Sequence, residues 1–89
     1  MRQIALARDA QKFLRSVDRK HAGQLAGRIL QLTADVRPHD SRHLSGANGH
    51  FYLTAGEYRV IYTFDGHTVS IRCVDRRNDG TVFRKFDNR

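Results

Sequence analysis

Between Leu44 and Phe64 the side chains alternate in a way that only paired strands satisfy. Phe51, Leu53 and Ala55 alternate with His50, Tyr52 and Thr54; Tyr58, Val60, Tyr62 and Phe64 alternate with Arg59, Ile61 and Thr63. A period of two belongs to half-buried strands. Gly56-Glu57 separates the two runs, so the spacing predicts antiparallel strands Phe51–Ala55 and Tyr58–Phe64 joined by a tight turn. Arg59 falls early in the second of them. A cation in an apolar-rich strand costs desolvation unless something answers it. The candidates are a carboxylate (Glu57, Asp65 or Asp75), an edge open to water, or a phosphate.

The rest of the chain arranges itself around this pair. Arg2–Ala7 alternates, with Ile4 and Leu6 on one face, and reads as a first strand. Asp9 is placed to cap a helix running to about Ser16, with Ala10, Phe13, Leu14 and Val17 along one side. Asp18 can cap a second helix, whose Ala22, Leu25, Ile29, Leu32 and Val36 recur at helical spacing. Gly23 and Gly27 would let that helix approach a neighbour closely, and Pro38 would mark its end. Asp65-Gly66 signals a further hairpin, followed by a strand in which Val69, Ile71 and Cys73 alternate with Ser70, Arg72 and Val74. Asp79-Gly80 marks another turn, and Thr81-Val82-Phe83 is a last short strand or a closing loop. The expected fold is α+β: a strand, a two-helix hairpin, then a three- to four-stranded antiparallel meander.

Eighty-nine residues suffice for one domain, here taken as 1–89. The net charge of +7 is spread along it: residues 1–45 carry nine Lys/Arg against four Asp/Glu, and residues 46–89 seven against five. A basic folded surface suits a polyanionic partner, whether RNA, DNA or an acidic protein segment; solubility alone would also account for it. With Cys73 the single cysteine, no internal disulfide and no cysteine-based zinc site can form. His21, His39, His43 and His67 are scattered without metal-site spacing, and no metal or cofactor is expected. No apolar stretch reaches membrane-spanning length and the N-terminus lacks a secretory core, so the expected location is the cytoplasm, with no membrane partner.

The β-α-α-β-β-β order, the Leu44-Ser-Gly spacing, the run Gly56-Glu-Tyr-Arg-Val-Ile-Tyr62 and the closing basic-then-aromatic segment together resemble the RelE/ParE superfamily of bacterial toxins. The resemblance covers essentially the whole chain and is sharpest over residues 44–62. It implies a toxin held inactive by a cognate antitoxin protein. RelE-like members cleave mRNA on the ribosome; ParE-like members inhibit DNA gyrase without being nucleases. A third possibility is a non-toxic member that only binds antitoxin. Matched position by position, Arg59 takes the place of the second-strand arginine, Arg77 (or Arg76) that of the late basic residue, and Phe83 that of the closing aromatic. The chain departs from the nuclease pattern at Tyr52 and Thr54, where many members carry basic residues, and at Phe83, where many carry tyrosine.

On the nuclease expectation Arg59 and Arg77 stabilise the charge on the reacting phosphate, as preorganised cations should. Arg76, Arg84 and Lys85 hold further phosphates. Phe83, with Phe86, stacks on a base, and Tyr52 stacks or donates a proton. His50 is the candidate for proton transfer, since imidazole is the side chain suited to proton exchange near neutral pH, and Asp75 is the second. The bland alternatives are an ion-paired Arg59, a surface histidine, a packing tyrosine, a solvated arginine pair and phenylalanines that cover a small core.

Overall fold

Ala7, not Asp9, opens the first helix. In the computed structural model, which describes residues 1–76, strand β1 (Gln3–Leu6) leads directly into helix α1 (Arg8–Ser16). The Ala7 carbonyl accepts the Gln11 N–H at 3.0 Å and closes the first turn. Asp9 instead sits inside that turn, where a carboxylate still favours the positive end of the helix dipole. Helix α2 (Arg19–Gln31) begins as its sequence predicts: the Asp18 side chain accepts the His21 N–H at 2.9 Å, which satisfies one of the amides a helix start leaves open.

Helix α2 stops at Gln31, seven residues before Pro38. Thr33 turns the chain away, its N–H and hydroxyl both donating to the Leu30 carbonyl, while its own carbonyl accepts the Arg2 N–H at 3.0 Å. Val36 therefore reaches the core from the following loop, not from a helix. Its carbonyl accepts the buried Tyr62 hydroxyl at 2.7 Å, and burial raises the Tyr62 pKa above its ordinary value. Gly23 and Gly27 do not serve a close approach: a Cβ built on either would meet nothing within 4 Å. They line an open groove of about 510 Å³ between α2 and the segment Thr54–Gly56.

The remaining strands are β2 (Arg42–His43), β3 (Phe51–Ala55), β4 (Tyr58–Phe64) and β5 (Thr68–Arg76). They form one sheet in the order β1-β5-β4-β3-β2, with β1 parallel to β5 and every other pair antiparallel. The two-residue strand β2 adds an edge that its sequence gives no pattern for. Both helices lie on one sheet face. Ala10, Leu25, Ile29 and Leu32 pack there against Leu53, Tyr58, Val60, Tyr62, Val69, Ile71 and Val74. A smaller cluster of Leu44, Ala47, Ile61 and Cys73 covers part of the opposite face.

Cys73 is buried, as expected of a small apolar side chain, but on the face opposite Ile71. The register steps from Ile61↔Cys73 to Tyr62↔Ile71, so Arg72 is an extra residue in β5. Such a bulge shifts the alternation by one. It moves Cys73 to the outer cluster and Val74 into the helix-covered core, reversing the faces that simple alternation predicts for both. Among the described residues no helix is long and apolar enough to cross a membrane.

Two turns set the registers around β4. Gly56 has φ of 60°, the left-handed value required at the first position of a type II′ hairpin turn. A side chain there is strained, and a Cβ would touch Gln24 Oε1 at 3.4 Å. Gly56→Ala should lower unfolding free energy by about 1–2 kcal/mol, read by urea denaturation. In the β4–β5 turn the Asp65 carboxylate accepts the backbone N–H groups of His67 at 2.7 Å and Thr68 at 2.8 Å, which hold its pKa below the ordinary carboxylate value. A depressed pKa stabilises the fold above the unfolded value of about 3.9 and loses that contribution as pH falls through the lower folded value. Urea midpoints below pH 4 should therefore fall less steeply for Asp65→Asn, which keeps an acceptor oxygen but does not titrate, than for the wild type.

Candidate functional site

The two-residue turn at Gly56-Glu57 pairs Ala55 with Tyr58 and therefore Thr54 with Arg59. On the other side of β4, Arg59 pairs with Asp75 of β5. Because side chains alternate across a strand, Tyr58 and Val60 point into the helix-covered core while Arg59 points to the opposite face. Arg59 thus stands in a central strand between a hydroxyl and a carboxylate. Its guanidinium carbon lies 5.4 Å from the centroid of the Tyr52 ring, within cation–π range. Tyr52 itself packs on the outer cluster with Ile61 and Cys73. The packed cluster fixes the ring, and the ring orients the half-buried arginine.

Asp75 is half-buried, and its Oδ1 accepts the Arg76 N–H at 2.8 Å. Arg76 is exposed at the end of β5. Of the carboxylates considered for Arg59, Asp75 is the one across the ladder; Asp65 lies at the far end of β4, engaged with its own turn. The structure therefore brings together Arg59, Tyr52, Thr54 and Asp75 on the helix-free face at one end of the sheet; Arg76, paired with Tyr58, falls at the same end on the other face.

His50 is placed elsewhere. It closes the loop before β3: its N–H donates to the Ala47 carbonyl at 3.0 Å, and its carbonyl accepts the Leu44 N–H at 2.8 Å. Its Nδ1 lies 3.0 Å from the Asn48 carbonyl oxygen. Four residues along an extended strand separate it from Thr54, roughly 13 Å at the usual rise. Arg77, Phe83, Arg84 and Lys85, like Phe86 and the Asp79-Gly80 turn, lie outside the described residues.

Sequence reasoning weighed Thr54 only as a missing basic residue. Its place beside Arg59 was nonetheless available: a two-residue turn after Ala55 dictates that pairing. Chemically, the arrangement offers a fixed cation able to meet an anionic oxygen with a planar fork, flanked by a carboxylate that can take a proton. Among the described residues no group of three or more His, Cys, Asp or Glu side chains is placed to hold a metal ion.

No protein-family model and no curated protein matches the chain. Solved structures do. The isolated RelE toxin of E. coli superposes with a TM-score of 0.75 at 16% identity, covering 99% of this chain and 97% of that one. In the archaeal RelE–RelB complex from Pyrococcus horikoshii the matching chain gives 0.75 at 20% identity, over 88% and 97%. YafQ from E. coli gives 0.74 at 13% identity, over 93% and 99%. At such identities the likeness is one of architecture, and it extends over nearly all of both chains. The strand order, the two-helix layer and the central arginine-bearing strand are built on the RelE-like fold.

Proposed function

We propose that this chain is the toxin of a toxin–antitoxin pair and that it acts as a metal-independent endoribonuclease on mRNA in the ribosome. The observation that carries this reading is Arg59, oriented by Tyr52 on the helix-free face of a RelE-like sheet, with a carboxylate directly across the ladder. In the reaction, the ribose 2′-oxygen forms a bond to the adjacent phosphorus as the bond to the 5′-oxygen breaks. The 2′-hydroxyl proton passes to a base, and the leaving 5′-oxygen takes a proton from solvent or a neighbouring acid. Arg59 neutralises the charge that builds on the non-bridging oxygens, and Arg77 supplies further positive charge, with Arg76 adding charge from the strand end on the other face. Phe83 stacks on a base; Arg84 and Lys85 hold flanking phosphates.

Asp75 is the proton acceptor favoured by register, and His50 is the alternative at the far end of β3. With so small a catalytic set, the ribosome supplies much of the alignment by holding the mRNA in place. A cognate antitoxin, acidic enough to answer the +7 charge, would cover this surface when the toxin is silent. Cytoplasmic action follows from the same reading.

One observation favours a second reading. Tyr52 and Thr54, the β3 neighbours of Arg59, are not basic, which suits a binder that inhibits DNA gyrase, or only engages antitoxin, without chemistry.

The test is purified chain, free of antitoxin, in a reconstituted translation reaction with mRNA ends mapped and naked RNA as control. We expect new ends in the A-site codon that are absent from naked RNA. Arg59→Ala should slow cleavage by about 10²–10³-fold. Tyr52→Leu should slow it by roughly 5-fold and Tyr52→Phe hardly at all, since only the ring face is needed. Asp75→Asn and His50→Gln, compared across pH, identify the base. Intact mRNA with a folded protein would sink the nuclease reading; inhibition of gyrase supercoiling by the same preparation would establish the second.

A further inference from the structure

We propose that the solvent face of α1 is a docking surface for the phosphate backbone of double-helical RNA, distinct from the Arg59 site. The identity of the polyanion as RNA rests on the nuclease reading above; the surface itself rests on α1. Ala10, Phe13 and Leu14 turn one side of that helix into the core. Arg8, Lys12 and Arg15 are exposed on the other. Their spacing of four and then three residues puts them on one helix face, about 10 Å from first to last at the α-helical rise. Arg19 and Lys20, exposed at the start of α2, add charge at the same end of the helical hairpin.

No carboxylate among the described residues forms an ion pair with these cations. Among the described residues the two ion pairs are His21–Asp18 and Arg28–Asp40, so neither engages the α1 row. Asp9 is the one acid on the helix, in its first turn.

The composition of this face selects the partner. Among the described residues the large apolar side chains left exposed are Met1, Leu6 and Leu30, none of them on α1. A protein partner anchors on buried apolar or aromatic groups, and unpaired RNA bases stack on aromatic rings. The exposed α1 face carries only cations, Asp9, Gln11 and Ser16. A row of long cations with no platform for bases fits the outward phosphates of a duplex.

The row and the Arg59 site lie on opposite sides of the sheet, toward the same end of β5. A shallow cavity is lined by Asp9, Lys12, Phe13, Ser16 and Val74. Lys12 thus borders the segment of β5 that immediately precedes Asp75, the cross-strand neighbour of Arg59. A duplex along α1 would bind the side of the sheet away from Arg59 and leave the face of the site open to substrate.

The test measures binding of the full chain to an RNA duplex of roughly 16 base pairs, long enough to present two successive minor grooves, across a salt series. Joint substitution Arg8→Gln, Lys12→Gln and Arg15→Gln should weaken binding more than 10-fold at low salt. It should also lower the slope of log affinity against log salt by about 2–3, near one per lost phosphate contact. The charge-keeping set Arg8→Lys, Lys12→Arg and Arg15→Lys should leave the slope unchanged. Thermal unfolding of both sets confirms the fold.

An unchanged slope in the glutamine variant overturns the proposal. So does an unchanged RNA slope accompanied by lost binding of a poly-glutamate peptide, which would assign the face to an acidic protein. Cleavage is scored separately in the translation reaction. A wild-type chain that leaves mRNA intact yet binds duplex through α1 ends the nuclease reading and upholds this surface. A chain that cleaves, with a slope that does not depend on these cations, ends the surface alone.

Discussion

The register of β4 is the constraint on which the rest of the molecule depends. β4 is the central strand, paired on both sides, and its side chains alternate between a helix-covered core and a more open face. A slip of one residue would reverse every side chain. Arg59 would enter the core beneath the helices, and Tyr58, Val60 and Tyr62 would leave it. Such a slip is opposed by the burial of those three side chains, by the Tyr62–Val36 hydrogen bond, and by the turns at Gly56 and Asp65. The cation therefore holds its place because its neighbours cannot be anywhere else.

The outer face shows how a functional residue can be fixed without being sealed. Leu44, Ala47, Ile61 and Cys73 form a small apolar floor, closed along one side by the loop from Leu44 to His50. Tyr52 lies on that floor and presents its ring to the Arg59 guanidinium. An arginine supported in this way loses less freedom when it binds an anion, which is what preorganisation means energetically. The bulge at Arg72 belongs to the same construction. By shifting the alternation of β5 it puts Cys73 under the outer floor and Val74 in the core, and leaves Asp75 opposite Arg59.

Much of this could be read from the chain. The strands at 51–55 and 58–64, the Asp18 cap and the two-helix hairpin follow from local periodicity and capping chemistry, and the turn at Gly56 implies the Thr54–Arg59 pairing. Other features gave no local signal. Val36 continues the helical spacing of α2 because it packs in the same core, although the chain has already left the helix at Thr33 to meet β1. Gly23 and Gly27 look like residues at a close helix contact but border an open groove, since nothing in a sequence reports what stands opposite a glycine. The bulge at Arg72 is equally silent, being a property of two strands and not of one.

The sequence by itself determined the main strands and the two helices (though not β2 or the end of α2), the sign of the surface charge, and the presence of an arginine in an apolar-rich strand, because each depends on neighbours along the chain. Tertiary structure alone decided that Asp75 and not Asp65 faces Arg59 and that Tyr52 supports it. Those relations depend on pairing between segments far apart in the chain, and a single bulge is enough to exchange the face on which a residue appears.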